Sequence, residues 1–153
     1  MKKFVLFFLI AFCSIFAFTA CTKDEILDHY NQVLQKVGDN NLAKDSKLQG
    51  QRTFGEDSYV GSYFADYEDF TGTETLFGGT ALERGDGNEI EIICKLNITN
   101  GTGKLVLQSG TDGLQTLTES TGDYSKTIEL PSASNYIIVD GNNFTGSIQL
   151  EIK

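Results

Sequence analysis

Few side chains in this sequence could carry chemistry, and their positions limit what that chemistry can be. The single histidine, His29, lies in a segment with helical periodicity, well before the β-patterned part of the chain. Ser-His-Asp or Cys-His catalysis needs an imidazole beside a nucleophile, and no G-x-S-x-G elbow exists here. A zinc site needs several His or Cys ligands, which one histidine and one spare thiol cannot supply. Carboxylates are the remaining acid/base groups, with Asp66, Glu68 and Asp69 in one cluster and Glu89 and Glu91 in another. Paired carboxylates hydrolyse glycosidic bonds when a substrate cleft holds them apart at a set distance. A domain this small has little room for such a cleft, so a small carboxylate hydrolase is the weakest alternative and no enzyme is expected. Asp86-Gly87-Asn88-Glu89 and Asp140-Gly141-Asn142-Asn143 are rich in oxygen, as a calcium loop would be, but neither has EF-hand spacing. The same residues are what β-turns demand. No metal site and no cofactor is assigned.

The most suggestive segment is Tyr59-Val60-Gly61-Ser62-Tyr63-Phe64-Ala65-Asp66-Tyr67. On a strand, alternation puts Tyr59, Tyr63 and Tyr67 on one face with small Gly61 and Ala65 between them. Sugar rings stack on such rows, with nearby acids and amides taking the hydroxyls, so these three tyrosines are the candidate ligand-binding residues. The competing reading is that the rings simply cover the core, because aromatic residues favour strands for packing reasons. The absence of tryptophan weakens the sugar reading slightly.

The elements that must position these residues begin after a distinct N-terminal stretch. Met1-Lys2-Lys3 is basic, Phe4 to Phe18 is almost wholly apolar, and the chain turns polar after Cys21, which is the layout of a signal peptide over residues 1–20. Phe18-Thr19-Ala20-Cys21 resembles the lipobox of bacterial prolipoproteins, with Phe18 standing where that family usually has a branched aliphatic residue. The resemblance implies that the Cys21 thiol receives a diacylglyceryl group and that a peptidase cuts just before it. It further implies a chain tethered by lipid to the extracytoplasmic face of a membrane, the outer membrane if the source is Gram-negative. The alternative is an uncleaved span over Phe4 to Ala20, slightly short for crossing a bilayer. With Cys13 in the signal and Cys21 lipidated, Cys94 is alone, so no disulfide can brace the domain.

Residues 21–38 form the lipidated cysteine and one amphipathic helix, in which Ile26, Leu27, Tyr30, Val33, Leu34 and Val37 share a face. Thr22 and Glu25 have capping-box spacing, and Gly38 suits the C-terminal end. The apolar stripe needs a cover, whether the β domain, a second helix or the membrane. Residues 39–57 are polar and read as a spacer. From residue 58 to 153 the periodicity is alternating with turn signals every eight to twelve residues, which predicts an antiparallel β-sandwich, jelly-roll-like, of about eight strands. The clearest strand carries Ile90, Ile92, Cys94, Leu96 and Ile98 on one face, so Cys94 is expected inside as a small hydrophobe. Asn100-Gly101 and Gly141-Asn142-Asn143 are expected to be turns between strands. The final hairpin, from Leu130 to Ile152, is similar to that of small extracellular bacterial sandwich modules of the prepeptidase C-terminal type, with Asn135 where that family has glycine.

Without residues 1–20 the chain carries 10 basic and 21 acidic side chains, a net charge of −11 that repels nucleic acid. Anchor, spacer, compact β domain and scarce catalytic groups point together to a non-enzymatic binding or interaction module at the cell surface, with a glycan or an envelope protein as partner. A structural or inhibitory subunit of a larger envelope complex is the alternative.

Overall fold

Among the described residues three of the six strands are unusually long, and each folds back across the core. In the computed structural model, which describes residues 42–80, 83–112 and 114–153, the strands are β1 (Gln51–Phe54), β2 (Gly61–Gly79), β3 (Glu89–Ser109), β4 (Gln115–Thr118), β5 (Gly122–Glu129) and β6 (Asn135–Ile152). A 3-10 turn at Asp45–Lys47 precedes them among the described residues. The expected signal peptide and amphipathic helix lie outside the described residues.

Every pairing is antiparallel, and the last strand, β6, inserts between β2 and β3. Clustered register breaks fall at Tyr67/Phe70 and Phe70/Gly72 in β2, at Ile98/Asn100 and Asn100/Thr102 in β3, and opposite these around 141–146 of β6, with a further break at Thr75/Phe77 in β2. The three strands therefore bend along one line and contribute to both layers of a sandwich. The front layer runs β1, residues 61–67 of β2, 146–152 of β6, the first half of β3, and β5. The back layer runs residues 72–79 of β2, 135–141 of β6, the second half of β3, and β4.

The bend has a local cause. Asp69 (φ 52°), Asn143 (φ 49°) and Gly101 (φ 69°) adopt the left-handed conformation that Gly, Asn and Asp tolerate best. Phe144 is fully buried there, 4.8 Å from the Tyr67 ring, and a Cβ on Gly103 would sit 2.8 Å from its ring. Bulges and small residues thus turn the strands around one aromatic plug.

This corrects the strand count. Asn100-Gly101 and Gly141-Asn142-Asn143 are bends within β3 and β6, not turns between separate strands. Turn residues and bend residues are chosen for the same positive φ, so the sequence pattern alone cannot tell them apart. The spacer assignment also changes at its described end. Gln51–Phe54 is a strand, and Arg52 is buried, donating to the carbonyls of Leu76 (2.7 Å) and Ala43 (2.7 Å) and pairing with Asp45 (2.7 Å). Arg52 reaches from the edge of the front layer to the carbonyl of Leu76 on the edge of the back layer, and so closes that side of the sandwich. Asn135 is buried and fully bonded: its amide donates to Pro131 and Ala133 carbonyls, and its oxygen accepts from Ser109. Glycine could not fix the start of β6 in this way.

Candidate functional site

The tyrosine row exists, but it faces inward. Tyr59, Tyr63 and Tyr67 are each at most 3% exposed, so they form no platform for a ligand. Tyr63 (2.9 Å) and Tyr67 (2.6 Å) both donate to Oε2 of Glu74, while the Gln49 N–H donates to its Oε1 at 2.6 Å. Glu74 itself is 4% exposed and projects from the back layer. The group is a cross-layer clasp in which one buried carboxylate is satisfied by two hydroxyls and a backbone amide. Burial, with the negative Glu74 beside them, drives both phenol pKa values well above the ordinary 10. Tyr59 lies beneath Arg84, whose guanidinium stands 5.5 Å from its ring and bonds Asp57 at 2.8 Å.

The other candidates resolve in similar fashion. Cys94 lies inside with Ile90, Ile92 and Leu96, and burial pushes its thiol up to about 12. Asp66 and Glu68 project outward on β2, Asp69 sits at the bend, and Glu89 and Glu91 lie near the far end of β3. Asp66 is level with Ser147 and Asn97 across the sheet, six residues along β3 from Glu91. Six strand residues span about 20 Å, so the two carboxylate clusters are separate groups on the surface. In each oxygen-rich loop one asparagine is engaged in hydrogen bonds of its own. Asn88 caps the Arg84 N–H, and Asn143 exchanges hydrogen bonds with the Thr71 hydroxyl. Among the described residues no group of three or more His, Cys, Asp or Glu is placed to hold a metal ion, and no helix is long and apolar enough to cross a membrane.

What the molecule does present is the outer face of its front layer. A shallow hollow of about 640 Å³ lies over β1, β2, β6, β3 and β5. Two rows of side chains cross it in register. One runs Gln51, Phe64, Gln149, Lys95 and Asp123; the next runs Thr53, Ser62, Glu151, Ile93 and Ser125. Phe64 is 46% exposed, an apolar ring standing open between two amide side chains. The other exposed described phenylalanine, Phe54, is engaged differently: Arg52 lies 4.5 Å over its ring and Phe77 meets it edge-on at 5.9 Å.

Such a face can stack an apolar ring surface on Phe64 while amides, hydroxyls and carboxylates accept and donate around it. Phe64 belongs to the very segment whose tyrosines drew attention, at the opposite parity. The signal that could have found it was alternation: an aromatic residue flanked by Ser62 and Asp66 on the polar face of a strand.

No family model matches the chain, and no curated protein matches it. Solved structures do resemble it. BiXyn10A CBM1 in its apo form covers 69% of this chain and 86% of its own, at 12% identity and a TM-score of 0.31. The C-terminal CBM6 of LamC, a marine laminarinase from Zobellia galactanivorans, covers 69% and 89% at 10% identity and a TM-score of 0.27. These are distant likenesses, and the functional reading rests on the open face of the front layer.

Proposed function

We propose that this chain is a non-catalytic glycan-binding module that takes a sugar on the open face of its front layer, and that a lipid on Cys21 holds it to the extracytoplasmic side of a membrane. The observation that carries the binding proposal is Phe64, exposed within the hollow and flanked in register by Gln51 and Gln149. A sugar ring has one apolar C–H face and a rim of hydroxyls. Phe64 matches the first, and the amides with Lys95, Asp123 and Glu151 match the second. The rows cross five strands spaced about 4.8 Å apart, so the face extends about 19 Å and could accept several sugar units of a chain lying across the strands. The net charge of −11 favours neutral or cationic glycans over sulfated or uronic ones.

The anchoring half of the proposal is supported by the resemblance of Phe18-Thr19-Ala20-Cys21 to a lipobox. Screening the soluble domain on immobilised glycans tests the binding half. Specific retention that is lost in Phe64→Ala supports it. Retention only of envelope proteins from a membrane pull-down would instead assign the face to a protein partner.

A further inference from the structure

The outer face of the back layer contains an apolar patch that the core does not explain. One row across this face is polar: Thr73, Asp140 and Lys104 lie level with one another. The neighbouring row runs Thr75, Ile138, Val106 and Thr116. Its two central residues point outward by alternation, since Ile137, Val139, Leu105 and Leu107 fill the core between the layers. Yet Val106 is 2% exposed and Ile138 6%, although neither belongs to that core cluster. Side chains in the middle of an outer sheet face keep contact with water unless something lies over them.

The path of the chain identifies the cover. Leu42, itself buried, enters beside this row, because the next residue, Ala43, donates its N–H to the Thr75 carbonyl at 3.1 Å. The residues just before it carry Val33, Leu34 and Val37 at helical spacing. Val37 and Leu42 are five steps apart along the chain, a reach of at most about 18 Å. Val106 lies two strands from Thr75, about 10 Å away. The segment is therefore long enough to reach the patch and apolar enough to cover it. We infer that Val33, Leu34 and Val37 dock on Ile138 and Val106, making the outer face of the back layer an intramolecular seat for the chain preceding Leu42. This cover lies opposite the Phe64 hollow and leaves it clear, but the inference does not depend on any ligand there.

Trypsin digestion of the detergent-solubilised full-length chain, with cleavage sites mapped by mass spectrometry, tests the docking at Lys36, which lies between Leu34 and Val37. Docking predicts slow cleavage after Lys36 in the unaltered chain. It also predicts acceleration by about tenfold or more in Ile138→Asp and in Leu34→Asp, the ratio that corresponds to about 1.4 kcal/mol of lost docking. If Ile138→Asp unfolds the sandwich, cuts after Lys95 and Lys126 will reveal it, and Leu34→Asp, which leaves the sheet untouched, decides the question. Rapid cutting after Lys36 in the unaltered chain overturns the inference, as does protection that survives Leu34→Asp. Sedimentation showing a dimer that Ile138→Asp dissociates, with Lys36 open throughout, would assign the patch to a second copy instead.

Discussion

Replacing Glu74 probes the clasp that joins the two layers. Its carboxylate accepts from Tyr63, Tyr67 and the Gln49 N–H. In Glu74→Ala the Gln49 N–H, at the rim, can turn to water, while the two hydroxyls, 3.2 Å apart, can satisfy only one donor between them. One buried hydroxyl is then left without an acceptor, at about 1–3 kcal/mol, and the bonds to a charged acceptor are lost as well. The expected destabilisation is about 3 kcal/mol, a large part of the roughly 5–15 kcal/mol that holds a domain together. Glu74→Gln keeps an oxygen for the hydroxyls but loses the charge and sets its NH2 against the Gln49 N–H, which can turn to water, so about 1 kcal/mol is expected, because neutral hydrogen bonds are about half as strong as charge-assisted ones. Urea titrations followed by circular dichroism and tyrosine fluorescence give both numbers, since the chain has no tryptophan. A loss below about 1 kcal/mol for Glu74→Ala would refute the clasp. Equal losses for both variants would show that charge, not acceptor count, holds the rings.

Three further outcomes follow from the same structure. Burial raises the Cys94 thiol from 9.0 to about 12, and the phenols of Tyr63 and Tyr67 also rise. Each group is neutral when protonated, so its contribution is complete below the unfolded-state value and is lost as pH climbs from there toward the folded value. The urea midpoint should hold steady to pH 9 and then fall steeply, with a shallower onset in Cys94→Val; a flat profile to pH 11 would contradict this. In native protein Cys94 should resist a bulky thiol reagent and react once urea unfolds the chain, whereas rapid native labelling would place it on the wrong face. Cys21→Ala should abolish lipid labelling and detergent partitioning; a variant that still partitions at unchanged size would favour an uncleaved membrane span.

The alternation of Ile90, Ile92, Cys94 and Leu96 was legible in the sequence because period two with one apolar face has few other solutions. The face of each aromatic residue was legible too, yet the tyrosine row was ambiguous. Three hydroxyls on one face look like a binding surface until Glu74 is seen to reach two of them, those of Tyr63 and Tyr67, from the other layer, and pairing across 7 to 11 residues through a bend has no local signature. The bends themselves were visible as Asn100-Gly101 and Gly141-Asn142-Asn143 but imitated hairpin turns, since both need residues that accept positive φ. Strand β1 was hidden because Gln51-Arg52-Thr53-Phe54 is largely polar: an edge strand buries little, and its anchor is an arginine whose partners are backbone carbonyls and Asp45. The hollow beside Phe64 could not be read at all, since it depends on β6 lying between β2 and β3.

The central claim is that Phe64 seats a sugar, and the most direct measurement is the affinity of the best-retained glycan for three proteins by calorimetric titration. Phe64→Ala should weaken binding by about 5- to 150-fold, by analogy with the roughly 1–3 kcal/mol of a nucleic-acid base stacked on an aromatic side chain. Its melting temperature should stay close to that of the unaltered domain, because an exposed ring contributes little to stability. Phe54→Ala, which removes the other exposed ring, should leave the affinity unchanged. Undiminished binding in Phe64→Ala, or an equal loss in both variants, would contradict the account.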